Sequence, residues 1–143
     1  MNRRHFLFGA GTLAGASPYL LANAPHLTKN GRSPYSIVVG KDALPSEQRA
    51  AQELQTFIAQ ISGAQLPIRQ DTERIRGKLI LVGKSSAQER LVPDISFDAL
   101  GSDSFLLKTA GPHLVIAGGR PRGTLYGVYT FLDKLGCRWF TPE

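Results

Sequence analysis

The chain has 143 residues, with 17 lysines and arginines against 11 aspartates and glutamates and a formal net charge of +6. That length suits one domain and excludes a catalytic (β/α)8 barrel, which alone takes roughly 250 residues. Hydrophobic residues at 42% and charged residues at 20% describe a globular chain, not a disordered or coiled-coil one. A single cysteine, Cys137, rules out an internal disulfide framework and any zinc site built from several thiolates.

Residues 1–24 read as an export signal. Arg3 and Arg4 precede a weakly apolar stretch broken by Gly9, Gly11 and Gly15, and Ala22-Asn23-Ala24 supplies small residues for cleavage. The adjacent arginines followed by Phe6-Leu7 resemble a twin-arginine signal, although Asn2 and Phe8 depart from its commonest residues. Pro25 disfavours cleavage after Ala24, so cleavage after Ala22 is an alternative. The layout predicts export to a bacterial periplasm or beyond. No run of about 18 apolar residues is present, so no stable membrane insertion is expected once the signal is removed. Removal takes away two bases and no acid. The remaining bases are scattered, without the like-charge block or interleaved aromatics of a nucleic-acid-binding surface.

Residues 25–34 lack periodicity and read as a linker. Tyr35 to Val39 reads as a strand covered on both faces. Pro45 suits the first turn of a helix, in which Ala50, Ala51, Leu54, Phe57, Ile58 and Ile61 form one apolar stripe. Glu47 and Glu53 are placed on its polar face, and Gly63 ends it. Leu66-Pro67-Ile68 reads as a short extended edge segment and Lys78 to Val82 as a second strong strand. Residues 84–92 read as about one helical turn, and 93–102 as loop. Ser104 to Thr109 and Leu114 to Ala117 form a hairpin around Gly111-Pro112. From Arg122 to Leu135, a second helical stripe carries Gly123 and Gly127 four residues apart. Each costs about 1 kcal/mol relative to alanine, which implies close packing against the sheet. Tyr126 and Leu132 are placed against that sheet, and Cys137 in the core. The pattern specifies a two-layer α+β domain: a mixed sheet of about five strands packed by two main helices.

Several chemistries fail on spacing. Gly83-Lys84-Ser85 lacks the earlier glycine of a phosphate-binding loop, since position 78 is lysine. His26 and His113 are read as isolated loop histidines without acidic residues at metal-ligand spacing, so neither a metal nor a cofactor is expected. No Gly-x-Ser-x-Gly elbow is present. The acids suggest no pair of the kind glycoside hydrolysis requires, so no catalytic residue is assigned. One cluster remains. Gly118-Gly119-Arg120-Pro121-Arg122-Gly123 brings two arginines and glycine-rich backbone to a helix start, where free N–H groups favour anions. Arg120 and Arg122 are therefore candidates for a carboxylate such as a uronic acid; the competing reading pairs them with acids of a neighbouring domain or leaves them solvated.

The run Gly119-Arg120-Pro121-Arg122-Gly123-Thr124-Leu125-Tyr126-Gly127-Val128-Tyr129, continuing through Leu135-Gly136-Cys137-Arg138-Trp139-Phe140, resembles the end of the N-terminal domain preceding the barrel in bacterial alpha-glucuronidases and their secreted relatives. A similar Arg-Gly-x-x-Tyr-Gly helix occurs in the corresponding domain of beta-N-acetylhexosaminidases. The resemblance covers about residues 34–142. It implies a non-catalytic α+β domain of a carbohydrate-degrading enzyme whose catalytic carboxylates lie in a following barrel, here expected to be absent. The barrel is then the implied partner. Alternatives are a free-standing module that binds acidic glycans through Arg120, Arg122 or Trp139, and a truncated product without a role of its own.

If the signal is of the twin-arginine type, replacing both Arg3 and Arg4 with lysine abolishes export. Undiminished periplasmic protein in cell fractionation of the double variant would refute that assignment.

Overall fold

A computed structural model describes residues 27–137. Five strands form one mixed sheet: β1 (Tyr35–Val39), β2 (Ile68–Gln70), β3 (Lys78–Val82), β4 (Phe105–Ala110) and β5 (His113–Gly118), in the spatial order β2-β1-β3-β5-β4. The first four in that order run parallel, with Ile37 beside Ile68 and Ile80, and Ile80 beside Leu114. Only β4 is antiparallel, pairing along β5 from Phe105–Gly118 to Ala110–His113. Gly111 turns that hairpin at φ +56°, a backbone conformation that glycine adopts without steric cost.

The two main helices, α1 (Pro45–Ser62) and α3 (Gly123–Lys134), cover one face of the sheet. Leu54 and Ile58 of α1 and Leu132 of α3 are fully buried with Ile37, Ile80 and Ile116 of the strands. Each such side chain contributes about 1.5–3 kcal/mol by leaving water. The other face carries Val38, Leu79, Leu81, Val115 and Ala117, and is closed by Ala87 of the short helix α2 (Ser86–Leu91), by Val92, and by Ile95 and Phe97 beyond it. Successive residues of a strand point to opposite faces; β1, β3 and β5 are apolar on both because both are covered. The architecture is the expected two-layer α+β arrangement, with the second face sealed by α2, the following segment and a 3-10 turn at Phe97–Ala99.

Several local expectations need correction. The stretch read as a linker is tied down from Leu27 onward. Leu27 is fully buried in the main core, and Ser33 donates its hydroxyl to the Leu27 carbonyl at 2.6 Å. The Leu66-Pro67-Ile68 segment does lie at the sheet edge: β2 starts directly after Pro67, which has no N–H to give and uses its carbonyl to accept from Ile37 N–H at 2.8 Å. His113 is not a loop histidine: it opens β5 and accepts the Leu79 N–H on Nδ1 at 3.1 Å, while burial pulls its pKa below the ordinary value. Tyr126 is 40% exposed, because Gly127 and Val128, next along the helix, take the sheet-facing positions. Leu132 and Cys137 are buried as expected.

Gly127 sits where α3 meets the sheet. A Cβ there would lie 3.0 Å from Ile116 Cγ2 and 3.2 Å from Phe105 Cβ, so a large side chain has nowhere to go without moving β4 or β5. Gly127→Leu is expected to cost about 1–3 kcal/mol through overpacking, read as a lowered denaturant midpoint; an unchanged midpoint would contradict this packing.

Candidate functional site

From β1 the chain crosses through α1 to β2 on one side, then returns to β3 on the other side of β1. Helix α1 leaves on one face of the sheet and α2 on the opposite face. The loops after β1 and β3 therefore diverge, and a crevice opens at the carboxyl ends of adjacent parallel strands. This is where open α/β sheets bind their ligands. Here it is a cleft of about 500 Å³ bordered by Lys41 and Asp42 after β1, Asp71 and Thr72 after β2, Lys84 to Ser86 and Glu89 after β3, and Arg120 after β5. At its base, Gly40 lies so close to the β3 loop that a Cβ would stand 2.6 Å from the Lys84 carbonyl oxygen.

Two carboxylates hold the strand ends together. Asp71 accepts the Lys41 N–H at 2.8 Å on one oxygen, and the Ser86 N–H at 2.8 Å and hydroxyl at 2.9 Å on the other. Partial burial works to raise its pKa, but the Ser86 and Lys41 N–H groups and the Ser86 hydroxyl outweigh it, and the carboxyl is held below its ordinary value. Glu47 is the second. Far from lying on a solvated helix face as the sequence suggests, it is 1% exposed. It occupies the third position of α1, reaches back to accept the Leu44 N–H at 2.9 Å, and receives Arg120 Nε and Nη2 at 3.3 Å each. Gly83, at φ +74°, makes room for it: a Cβ there would meet the Glu47 carboxyl at 3.0 Å. Ser46 adds a hydroxyl bond to the Pro121 carbonyl. Leu44 with Glu47 three residues on has the spacing of half a capping box, the one signal in the sequence that could have withdrawn Glu47 from the polar face.

The candidate residues fall in different places. Arg120 borders the cleft, its side chain 40% exposed, with its fork on Glu47. Arg122 pairs with Asp103 at 2.9 Å, both side chains 57% exposed. The acids that engage the arginines thus belong to this domain. Trp139 lies outside the described residues. The glycines around the arginines are structural and not a flexible cradle. A Cβ at Gly118 would fall 2.0 Å from Gly123 C, at Gly119 2.0 Å from the Gly101 carbonyl oxygen, and at Gly123 2.1 Å from that of Ser104. The start of α3 is also occupied from within: Gly123 N–H bonds the Gly119 carbonyl, Arg122 N–H the Ser102 carbonyl, and Gly118 N–H the Thr124 hydroxyl. Among the described residues no group of three or more His, Cys, Asp or Glu side chains could hold a metal ion, and no helix is long and apolar enough to cross a membrane.

The family model described as "Glycosyl hydrolase family 67 N-terminus" matches residues 19–131, most of the chain and nearly all of the sheet and helices described above. The chain belongs to this family. Within the family 67 N-terminus, its curated relatives include a probable alpha-glucuronidase A from Aspergillus oryzae, 30% identical over 60% of this chain, and an alpha-glucuronidase A from Emericella nidulans, 29% identical over 80%. The chain spans only 10% and 14% of their respective lengths. A solved structure described as a family GH115 4-O-methyl-alpha-glucuronidase with specificity for decorated arabinogalactans superposes with a TM-score of 0.62 at 24% identity, covering 78% of this chain and 14% of that one. That likeness shows that the fold of the family 67 N-terminal domain recurs there.

The two arginines are expected to differ in their structural weight. Arg120→Ala leaves a carboxylate 1% exposed without its partner; discounted for the exposure of Arg120, the cost is about 1–3 kcal/mol. Arg122→Ala breaks an exposed pair and costs at most about 1 kcal/mol. Urea denaturation of both variants checks the order, and equal midpoints would contradict it.

Proposed function

We propose that this chain is the non-catalytic N-terminal domain of an exported, carbohydrate-degrading glycoside hydrolase of the alpha-glucuronidase type, acting as a structural accessory to a barrel that performs the hydrolysis. The observation that carries the reading is the family match over residues 19–131. The twin-arginine layout of residues 1–24 supports export.

The chemistry of the domain's own acids agrees with an accessory role. Hydrolysis of a glycosidic bond needs a protonated carboxyl to donate to the leaving oxygen and a second carboxylate across the sugar. Asp71 is held below the ordinary carboxylate range by its three donors, so it stays ionised at neutral pH and is a poor proton donor. Glu47 is withdrawn beneath Arg120. Asp103, Asp94, Glu53 and Glu73 each face a cation, namely Arg122, Lys108, Arg49 and Arg69. These engagements fit a domain that supports a barrel through a sheet closed on both faces instead of hydrolysing sugar itself.

Incubated with 4-O-methylglucuronoxylan fragments or aryl hexosaminides, the purified chain is expected to release no sugar above the buffer blank. Turnover that disappears on replacing a single Asp or Glu of this chain would overturn the reading. An open reading frame continuing past the Glu143 codon into alternating strand and helix units would be the genetic counterpart of the same expectation.

A further inference from the structure

The charges around the switch-point cleft are distributed in a way that speaks to what it accepts. Asp71 and Arg120 are already committed, the first to the Lys41 and Ser86 donors and the second to Glu47. Lys41, Asp42, Lys84 and Glu89 border the same cleft. All four are exposed, and among the described residues none of their side chains enters an ion pair. The opening thus presents two ammonium groups and two carboxylates not consumed by one another, with Thr72 also on its border and the Ser86 hydroxyl held by Asp71. A uronate or phosphate would gain from the two lysines and lose against Asp42 and Glu89. A neutral polyol meets neither penalty, because each hydroxyl both donates and accepts, and carboxylate and ammonium partners give the stronger, charge-assisted bonds. A volume of about 500 Å³ lies within the range of small-molecule sites, roughly 300–1,000 Å³.

We propose that this cleft is a binding subsite for a neutral sugar unit of a polysaccharide, with Asp42 and Glu89 accepting from its hydroxyls and Lys41 and Lys84 donating to them. Asp71 is a positioning residue: its carboxylate ties the β1, β2 and β3 ends so that these four groups face a common space. The proposal rests on the carbohydrate reading above, but its outcome is separate, because it concerns binding without turnover. It also shifts the expected ligand from the acidic glycan suggested by the arginine cluster to an uncharged one.

The test is an amide NMR titration of the full chain with xylotriose and, separately, with glucuronic acid, each at low and high sodium chloride. The expected result is saturable movement of the Gly40, Thr72, Ser85 and Ser86 amide signals with xylotriose, with a dissociation constant of the order of 1 mM, insensitive to salt. Asp42→Ala and Lys84→Ala should each weaken it roughly tenfold while leaving the melting temperature unchanged, since both side chains are exposed. Three outcomes would overturn the proposal: no saturable movement with xylotriose; tighter, salt-sensitive binding of glucuronic acid at these amides; or a xylotriose affinity in either variant unchanged from that of the unsubstituted chain. None of these bears on the hydrolysis assay, so the accessory reading stands or falls independently.

Discussion

A carboxylate taken out of water has to be given back its partners, and the placement of Glu47 shows how many parts of this domain are engaged in doing so. Its position in the first turn of α1 lets it satisfy the Leu44 N–H and feel the positive end of the helix. The remaining charge is met by Arg120, brought from the far end of β5. Glycine in a left-handed conformation at residue 83 keeps the space for the carboxyl open, since a Cβ there would press on it at 3.0 Å. Three segments distant in sequence are thereby fixed at one point: the start of α1, the exit of β3 and the turn between β5 and α3. Such a pair adds little net stability compared with an apolar substitute, but losing one member alone is costly. It therefore constrains geometry more than it contributes energy.

Around that point the fold is held by ordinary burial. Alternate residues of β1, β3 and β5 feed two cores, one under α1 and α3 and one under α2 and the segment beyond it. The same division opens the cleft: consecutive helices on opposite faces pull the β1 and β3 loops apart at the carboxyl ends of the strands. Asp71 then bridges the gap from the third strand end. The polar cleft and the apolar cores are two results of one topology.

The elements were legible in the sequence where a single periodicity dominated. The stripe from Ala50 to Ile61, the runs at Tyr35 to Val39 and Lys78 to Val82, and the Gly111-Pro112 turn each mark their element through local physics. The candidate site was legible only in part. Arg120 is identifiable as a clustered cation, but its partner Glu47 is distant in sequence, and no local pattern announces that a helix-surface acid will be covered. The cleft itself escapes sequence reading because Lys41, Asp71, Lys84 and Glu89 converge through strand order, which periodicity does not encode. Tyr126 was misplaced for a related reason. A stripe with glycines in it has more than one candidate inner face, and the contacts of Gly127 with Ile116 and Phe105 select between them. The glycine pair Gly118-Gly119 suggests pliability when read alone; in the fold it marks backbone so closely apposed that no side chain fits.

The order of strands also governs how the chain finds its structure. Of the four strand pairings, only β4 with β5 joins neighbours across a tight turn; the other three are parallel and each spans an intervening helix or longer segment. Closing such loops costs chain entropy before any contact rewards it. The hairpin and the α3 helix that follows it are contiguous in the chain and can associate early. The central strands β1 and β3 must wait for a long-range encounter, with their apolar surfaces uncovered on both sides meanwhile. The interval before β1 meets β3 is thus when this domain is most exposed to self-association, and the pace of that one encounter sets how long the hazard lasts.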